Sequence, residues 1–380
     1  MVWCFPMATS RLLPLVLLPI LSSCAPPWVS SIQERPPQQL ESIHLQHRDE
    51  NGQLSWSLRS PKAHHDWARK ASVVMAPEGL VYQDGLPIYR FSAQRALLLG
   101  NSRLVQLDGL VQLEHLQKPA TVITGERLRW HTHEGHLTMP TNPVLTYQEM
   151  RITAGWAELD FASNHLSLHD QVVAMDQSPQ AGDLHLEATA LRWNMAMGDF
   201  TAPGLVKGQQ NAPDGQLQSV EGYDLTGNSQ EGWLQLQAPV QLQTKAAGQW
   251  QARGPVRWWP DRQQLDSAGP LNGQVGALRV FGDSAALDLN KGWLTIANNC
   301  HLHQPGETLK AQQCRWNLHQ GAVVAQGDVQ LKREQYQQFT RADQLEGQLG
   351  ESNVLRFLAP SDSQVSTELE LETMIMGSRE

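Results

Sequence analysis

The sequence predicts an all-β protein of elongated, repetitive build, and three observations carry that expectation. Apolar and polar residues alternate with a period of two in run after run. One short motif centred on Arg-Trp occurs four times at near-constant spacing. Glycine, proline and asparagine punctuate the runs as turns rather than gathering in one segment.

The alternation is plainest in "VQLDGLVQLEHL" (105–116), "HLSLHDQVVAM" (165–175), "WLQLQAPVQLQ" (233–243) and "GDVQLKR" (327–333). A strand sends successive side chains to opposite faces, so each run has one apolar and one polar face. A helical stripe is expected only over 342–358. Hydrophobic residues make up 41% and charged residues 18% of the 380, a balance that excludes a disordered chain. The net charge of −9 excludes a nucleic-acid partner, which needs a basic footprint.

The repeat defines the unit. Arg129-Trp130, Arg192-Trp193, Arg257-Trp258 and Arg315-Trp316 begin copies 63, 65 and 58 residues apart. Two residues before each Trp stands Leu128, Leu191, Val256 or Cys314; seven after it stands Leu137, Phe200, Leu265 or Val323. Those positions share a face with the Trp while the Arg points away. Glycine closes the turn at 135, 198 and 321, but Gln263 takes its place in the third copy, whose turn is expected to differ. A second half-repeat aligns 151–172 with 279–300, and more loosely with 221–241. In each an apolar-Asp-apolar strand leads through Ser163-Asn164, Asn228-Ser229 or Asn290-Lys291 to another alternating strand. Units of about thirty residues, two strands each, bury a seam by stacking that none could bury alone. The inward set is Leu110, Leu128, Trp130, Leu137, Leu159, Phe161, Leu166, Leu168, Leu191, Trp193, Phe200, Leu234, Leu236, Leu287 and Leu289. Their ordinary use is to fill a dry sandwich core.

At the N-terminus Arg11 precedes the apolar run 12–21, and "LSSC" ends at Cys24. The run is short for a bilayer and holds Pro14 and Pro19. "LSSC" resembles the lipobox of bacterial lipoproteins, which implies lipidation at Cys24; a plain secretory signal or an uncleaved anchor is the other reading. Residues 25–45 follow as a Pro-rich tether. Cys300 and Cys314 flank a Pro305-Gly306 turn, which sets them roughly opposite on a hairpin. Either a cross-strand disulfide or two buried thiols fits them.

No catalytic word is present: no P-loop, G-x-S-x-G, H-E-x-x-H or C-x-x-C. His131, His133 and His136 cluster, as do His64-His65-Asp66 and His301/His303. They sit beside turns without a full ligand set, so no metal and no cofactor is assigned. Glu158 and Asp160 share a face but read as the wet side of a strand, since Ala157, Leu159 and Phe161 alternate inward.

With these residues in view, the segment 49–113 resembles the LptC family of lipopolysaccharide-export proteins. It carries a Gly-initiated strand with Trp56, a small-residue junction at Ala63, and Ala76-Pro77 closing the next strand. A Gln83-Asp84-Gly85 turn, "FSAQRALL" and a closing "LDGLVQL" follow. The pattern over 107–175, fading to about 333, resembles the LptA/OstA superfamily. The resemblance implies a slightly open β-jelly roll: 46–175 as an LptC/OstA-like part, 176–345 as its continuation without a linker, 346–380 as a tail. It departs from LptC proteins in having a lipobox in place of a transmembrane helix and about twice their length.

The resemblance also implies a periplasmic, membrane-anchored bridge component, without catalysis, that passes lipopolysaccharide or a related lipid from an inner-membrane ABC transporter towards the outer membrane. LptA-like jelly rolls would join it by edge-strand addition. The inner membrane would hold an LptC-like anchor, while Ala25 after Cys24 points to the outer one. The resemblance implies that the inward set named above lines an apolar lipid groove rather than a dry core; a carrier needs one, because exposing a twelve-carbon acyl chain to water costs about 9 kcal/mol at roughly 0.8 per CH₂. The alternative is a structural or glycan-binding envelope lipoprotein with a dry core, working through exposed aromatics such as Trp67 or Trp259.

Overall fold

The computed structural model describes residues 37–116, 121–176, 184–211, 217–244, 248–348, 355–358 and 365–369. The signal, Cys24 and most of the tether lie outside them. Within the tether's expected span, Gln38–Arg48 is already a strand. Its partner Leu54–Asp66 supplies the pairing that a Pro-rich spacer would lack.

Among the described residues there are twenty-nine β-strands, one 3₁₀ turn and no α-helix. Where a helix was expected over 342–358, the described residues are strands instead, Gln338–Gln348 and Leu355–Leu358. The helix-like spacing of buried Ala342 and Leu345 arises where the ladder to Ala322–Arg333 shifts register.

That register shift is the device on which the fold is built. Leu104–His115 bends at Gly109-Leu110, His165–Asp176 at Asp170-Gln171, Trp293–Gln304 at Asn298-Asn299, and Ala322–Arg333 at Gly327-Asp328. At each bend two successive residues adopt positive φ, for example 74° and 45° at the first and 61° and 53° at the third. Glycine, asparagine and aspartate tolerate that region best, and such bulges bend a strand. Other strands break outright at the same level: Ala71–Met75 and Glu78–Gln83 are separated by Ala76-Pro77. Backbone hydrogen bonds cross this line, from the Ala76 N–H to the Gln94 carbonyl (2.8 Å) and from the Gln94 N–H to Gly109 (2.9 Å).

Each long strand therefore serves two half-sheets. The first half of Leu104–His115 pairs with Arg95–Leu99 and the second with Leu86–Ser92. The same antiparallel meander runs from Gln38 to the last described strand. The result is an elongated, slightly open jelly roll: two half-sheets hinged along the bends and facing each other.

Inward side chains form two cores. The first runs from Trp56 to Met195 and the second from Leu184 to Leu345. Leu159, Leu166 and Leu168 are at most 1% exposed in the first, as are Ile296 and Cys314 in the second. Cys300 and Cys314 are disulfide-bonded, with Cα atoms 5.9 Å apart. They are diagonal rather than opposite, since Cys300 faces Ala311 and Cys314 faces Ile296, so the bond straddles the bend at Asn298-Asn299. The third-copy turn differs as expected, with a 3₁₀ turn at Pro260–Arg262. Gln263 nonetheless adopts the left-handed conformation that Gly135, Gly198 and Gly321 take elsewhere. Its side-chain amide holds that turn by donating to the Pro260 carbonyl at 2.9 Å.

One inward assignment is corrected. Leu110 is 78% exposed, because the bulge at Gly109-Leu110 inserts a residue and turns its side chain out of the alternation.

Two outcomes follow for stability. Replacing Cys300 and Cys314 together by Ala should lower unfolding free energy by about 3 kcal/mol, as expected for a short loop, in urea melts at fixed pH. His115 is 6% exposed, and its burial beside Tyr89 lowers its pKa; burial does the same at His301 and His47. A histidine held neutral in the fold binds its proton more readily when unfolded. Stability should thus be full above the ordinary histidine pKa of about 6.5 and fall as pH drops below it. His115→Phe should flatten that slope in melts between pH 7 and 5.

Candidate functional site

The repeated tryptophans mark where the two half-sheets meet at the mouth. Trp130, Trp193, Trp258 and Trp316 each stand close to the end of a strand, just before the turn that forms one rim. All four are buried, between 3% and 7% exposed, and the indole N–H of each is buried without a hydrogen-bond partner. Arg129, Arg192 and Arg315 are on the exposed face, as the alternation predicts. The Arg257 guanidinium lies 4.5 Å over Trp233 and that of Arg315 lies 4.9 Å over Trp293.

Aromatic side chains from both half-sheets close the first core. Trp130 meets Trp56 at 5.8 Å, Phe91 at 6.0 Å and Phe161 at 5.7 Å. Tyr89 packs 4.9 Å from Phe161 and donates its hydroxyl hydrogen to Asn164 Oδ1 across the mouth (3.3 Å). Leu128, Trp130, Leu137, Leu159, Phe161, Leu166 and Leu168 thus fill a packed interior. Leu236, Leu287 and Leu289 likewise belong to, or pack against, the second core.

The space lies between these cores. A cavity of about 600 Å³ is lined by Leu191, Trp193, Phe200 and Leu234 from the predicted set. Such a volume is within the range of about 300–1,000 Å³ usual for small-molecule sites. Leu191 and Phe200 pack against both cores, so the cavity sits where one ends and the next begins. The sequence reading missed Tyr147, Met150, Ile152, Val172, Leu184, Leu186, Val206 and Leu225 in its walls. It also missed the reason for the space: Ala174, Ala188 and Ala202 stand on walls otherwise built of larger side chains. Three alanines in apolar strand positions were the available signal. The ladder between Leu184–Asn194 and Asp199–Asn211 is also open there, with no pairs between Glu187/Lys207 and Arg192/Thr201.

Polar residues join the lining: Gln148, Glu149 and Asp261 are exposed, and Asp176, Asn228 and Ser229 are half-buried. Opposite Trp193 stands Tyr147, edge-on at 4.8 Å, in place of the aromatic cluster that seals the first core. The site can take up an apolar chain whose polar end stays beside the exposed polar residues.

The outer face carries the remaining candidates. Glu158 lies 3.8 Å from His136 and 3.6 Å from His169, on whose ring Trp156 stacks at 3.9 Å. Asp160 accepts hydrogen bonds from the Ser163 backbone N–H (2.8 Å) and hydroxyl (2.9 Å), which hold its pKa below the ordinary carboxylate value. Its work is to cap a turn, as Asp288, Asn194, Asn228 and Asn317 do in the other units. Among the described residues no three His, Cys, Asp or Glu side chains come together to hold a metal. Trp67 is 48% exposed and stands edge-on to His65 at 4.3 Å; Trp259 is half-buried. No described helix is long and apolar enough to cross a membrane.

Residues 15–175 match the family described as LptC: Lipopolysaccharide-assembly, LptC-related. No curated protein matches the chain. Among solved structures it is similar to LptH of Pseudomonas aeruginosa, the LptA homologous periplasmic component of the lipopolysaccharide transport device. The identity is 9%, the likeness covers 33% of this chain and 77% of that one, and the TM-score is 0.19. So loose a superposition bears on neither the fold nor the function of this chain.

Filling the cavity should abolish uptake without harming the cores. Ala188→Leu is expected to reduce binding of an apolar fluorescent dye at least fivefold. Thermal stability should change little, because the added methyl groups enter existing space. Dye titration and a thermal melt of the same samples read both quantities.

Proposed function

We propose, on the premise of an LptC-related segment at 15–175, that this chain handles lipid in lipopolysaccharide transport and holds acyl chains in the cavity between its two cores. The observation that carries the reading is that cavity: lined mostly by apolar side chains, with the exposed Gln148, Glu149 and Asp261 also on its lining. Burying a chain there recovers the hydrocarbon transfer energy, while the saccharide stays in water. The space joins the two cores, so it would hold the chain where one interior meets the next. The role needs no catalytic group; any ATP-driven step belongs to a partner.

The finer assignment follows from the same premise. The chain is a periplasmic bridge component, anchored through an N-terminal lipid on Cys24, that receives lipopolysaccharide from an inner-membrane ABC transporter. It joins LptA-like jelly rolls by strand addition. Gln38–Arg48 suits that joining: among the described residues it pairs only with Leu54–Asp66, so one edge is left for another strand.

A photo-crosslinking residue at Leu191 or Phe200, installed in cells, should capture lipopolysaccharide. The same residue at Glu158 on the outer face, or at Leu166 in the packed core, should not. Equal capture at all four positions, or none at Leu191 and Phe200, would overturn the reading.

A further inference from the structure

The outer face over the second core carries a hollow of about 810 Å³ that shares no lining residue with the cavity between the cores. Six neighbouring strands form it: Asp199–Asn211, Leu217–Asn228, Trp233–Thr244, Gly248–Ala252, Leu271–Val275 and Leu278–Gly282. Their ladder sets the outward side chains in two rows. Gln209, Ser219, Gln243, Gln249, Gln274 and Arg279 stand opposite one another in turn, and so do Lys207, Glu221, Gln241, Gln251, Asn272 and Phe281. Val220, Leu242 and Trp250, between the rows, face the second core instead.

Seven of these twelve residues are amides, and all seven are exposed, so the face is rich in hydrogen-bonding groups and poor in charge. Elsewhere on the outer surface polar side chains are spent on one another, as in Arg90–Glu114 (3.2 Å), Arg127–Asp108 (2.6 Å) and Gln344–Glu346 (2.7 Å). Here the amides of Gln209, Gln241, Gln243, Gln249 and Gln251 make no bond to another group among the described residues. The strands beneath the middle of the hollow are paired on both sides, so a peptide cannot join them as a further strand. What the face offers a ligand is side-chain amides, with the Phe281 ring, 40% exposed, in the last strand.

We propose that this face binds a neutral, hydroxyl-rich oligosaccharide lying across the strands. A primary amide holds a donor and an acceptor side by side, which suits the neighbouring hydroxyls of a sugar ring, each able to donate and accept. Strands lie about 4.8 Å apart, close to the length of one pyranose unit, so successive sugars meet successive amides. Phe281 supplies an apolar surface for the C–H face of a sugar. A polyanion finds little to draw it, because Lys207 and Arg279 are the only cations of the two rows and Glu221 stands opposite Lys207. Each amide–hydroxyl bond replaces one to water and gains little by itself, so the match over several strands carries the recognition. This inference does not rest on the lipid-binding reading.

The test titrates the whole chain with maltohexaose, cellohexaose and chitohexaose, neutral six-sugar chains of different linkage and substituents, by isothermal titration calorimetry. At least one is expected to bind saturably. Replacing Gln241 and Gln251 together by Ala should weaken that binding at least fivefold, and Phe281→Ala should do the same. Arg90→Ala, on the outer face of the first part, and Ala188→Leu, in the cavity, should leave it unchanged. The amide and phenylalanine variants alter exposed side chains, so their thermal melts should match wild type. No saturable binding of any of the three sugars, or binding that survives the paired amide substitution, would overturn the inference and leave the lipid-binding reading standing. So would tighter binding of a sulfated hexasaccharide than of any neutral one.

Discussion

Everything in this molecule depends on strands that bend at their middle. A flat sheet of this length would expose one face of every strand, and its leucines and tryptophans would have nothing to cover them. Paired left-handed residues at Gly109-Leu110, Asp170-Gln171, Asn298-Asn299 and Gly327-Asp328 fold each strand over, so that its two halves face each other. Positive φ is costly for most side chains, and the chain places Gly, Asp or Asn at each of these sites. The disulfide between Cys300 and Cys314 crosses one such bend and fixes it covalently.

Once the strands bend, the opposite rim decides whether the interior is dry or receptive. In the first core Trp56, Tyr89, Phe91, Trp130 and Phe161 meet across the mouth and shut it. At the junction Trp193 meets Tyr147 edge-on and pairs with Phe200 across the ladder, and alanines at 174, 188 and 202 give up the volume that leucine or valine would fill. The difference between a core and a receptacle is thus a matter of a few side chains on an unchanged backbone. A long apolar seam read from the alternation becomes, in three dimensions, two cores with a space between them.

Much of the fold could be read from the residues. Period-two alternation located the strands His165–Asp176 and Trp233–Thr244 to within a residue or so of their ends. The Arg-Trp repeat identified inward positions such as Leu128, Trp130 and Leu137, because a strand side chain has only two directions available. The bends were less legible: the Gly, Asp or Asn at a bulge reads equally well as an ordinary polar-face residue of the strand, so Leu110 read as inward and 342–358 as helical. The cavity was hardest to see. Its lining joins Tyr147 to Leu234 from strands far apart in sequence, and only packing across the mouth determines which inward residues touch and which leave room. Leu191, Trp193, Phe200 and Leu234 were named as inward, but nothing in their spacing separated them from Leu159 or Leu168.

Native mass spectrometry of the full chain, released gently from the envelope in which it was made, tests the central claim most directly. The account predicts a population carrying one non-covalent acylated lipid, distinct from any covalent N-terminal modification and released by collisional activation. A chain that emerges bare from its own membrane, under conditions that keep its β-structure intact, would contradict it.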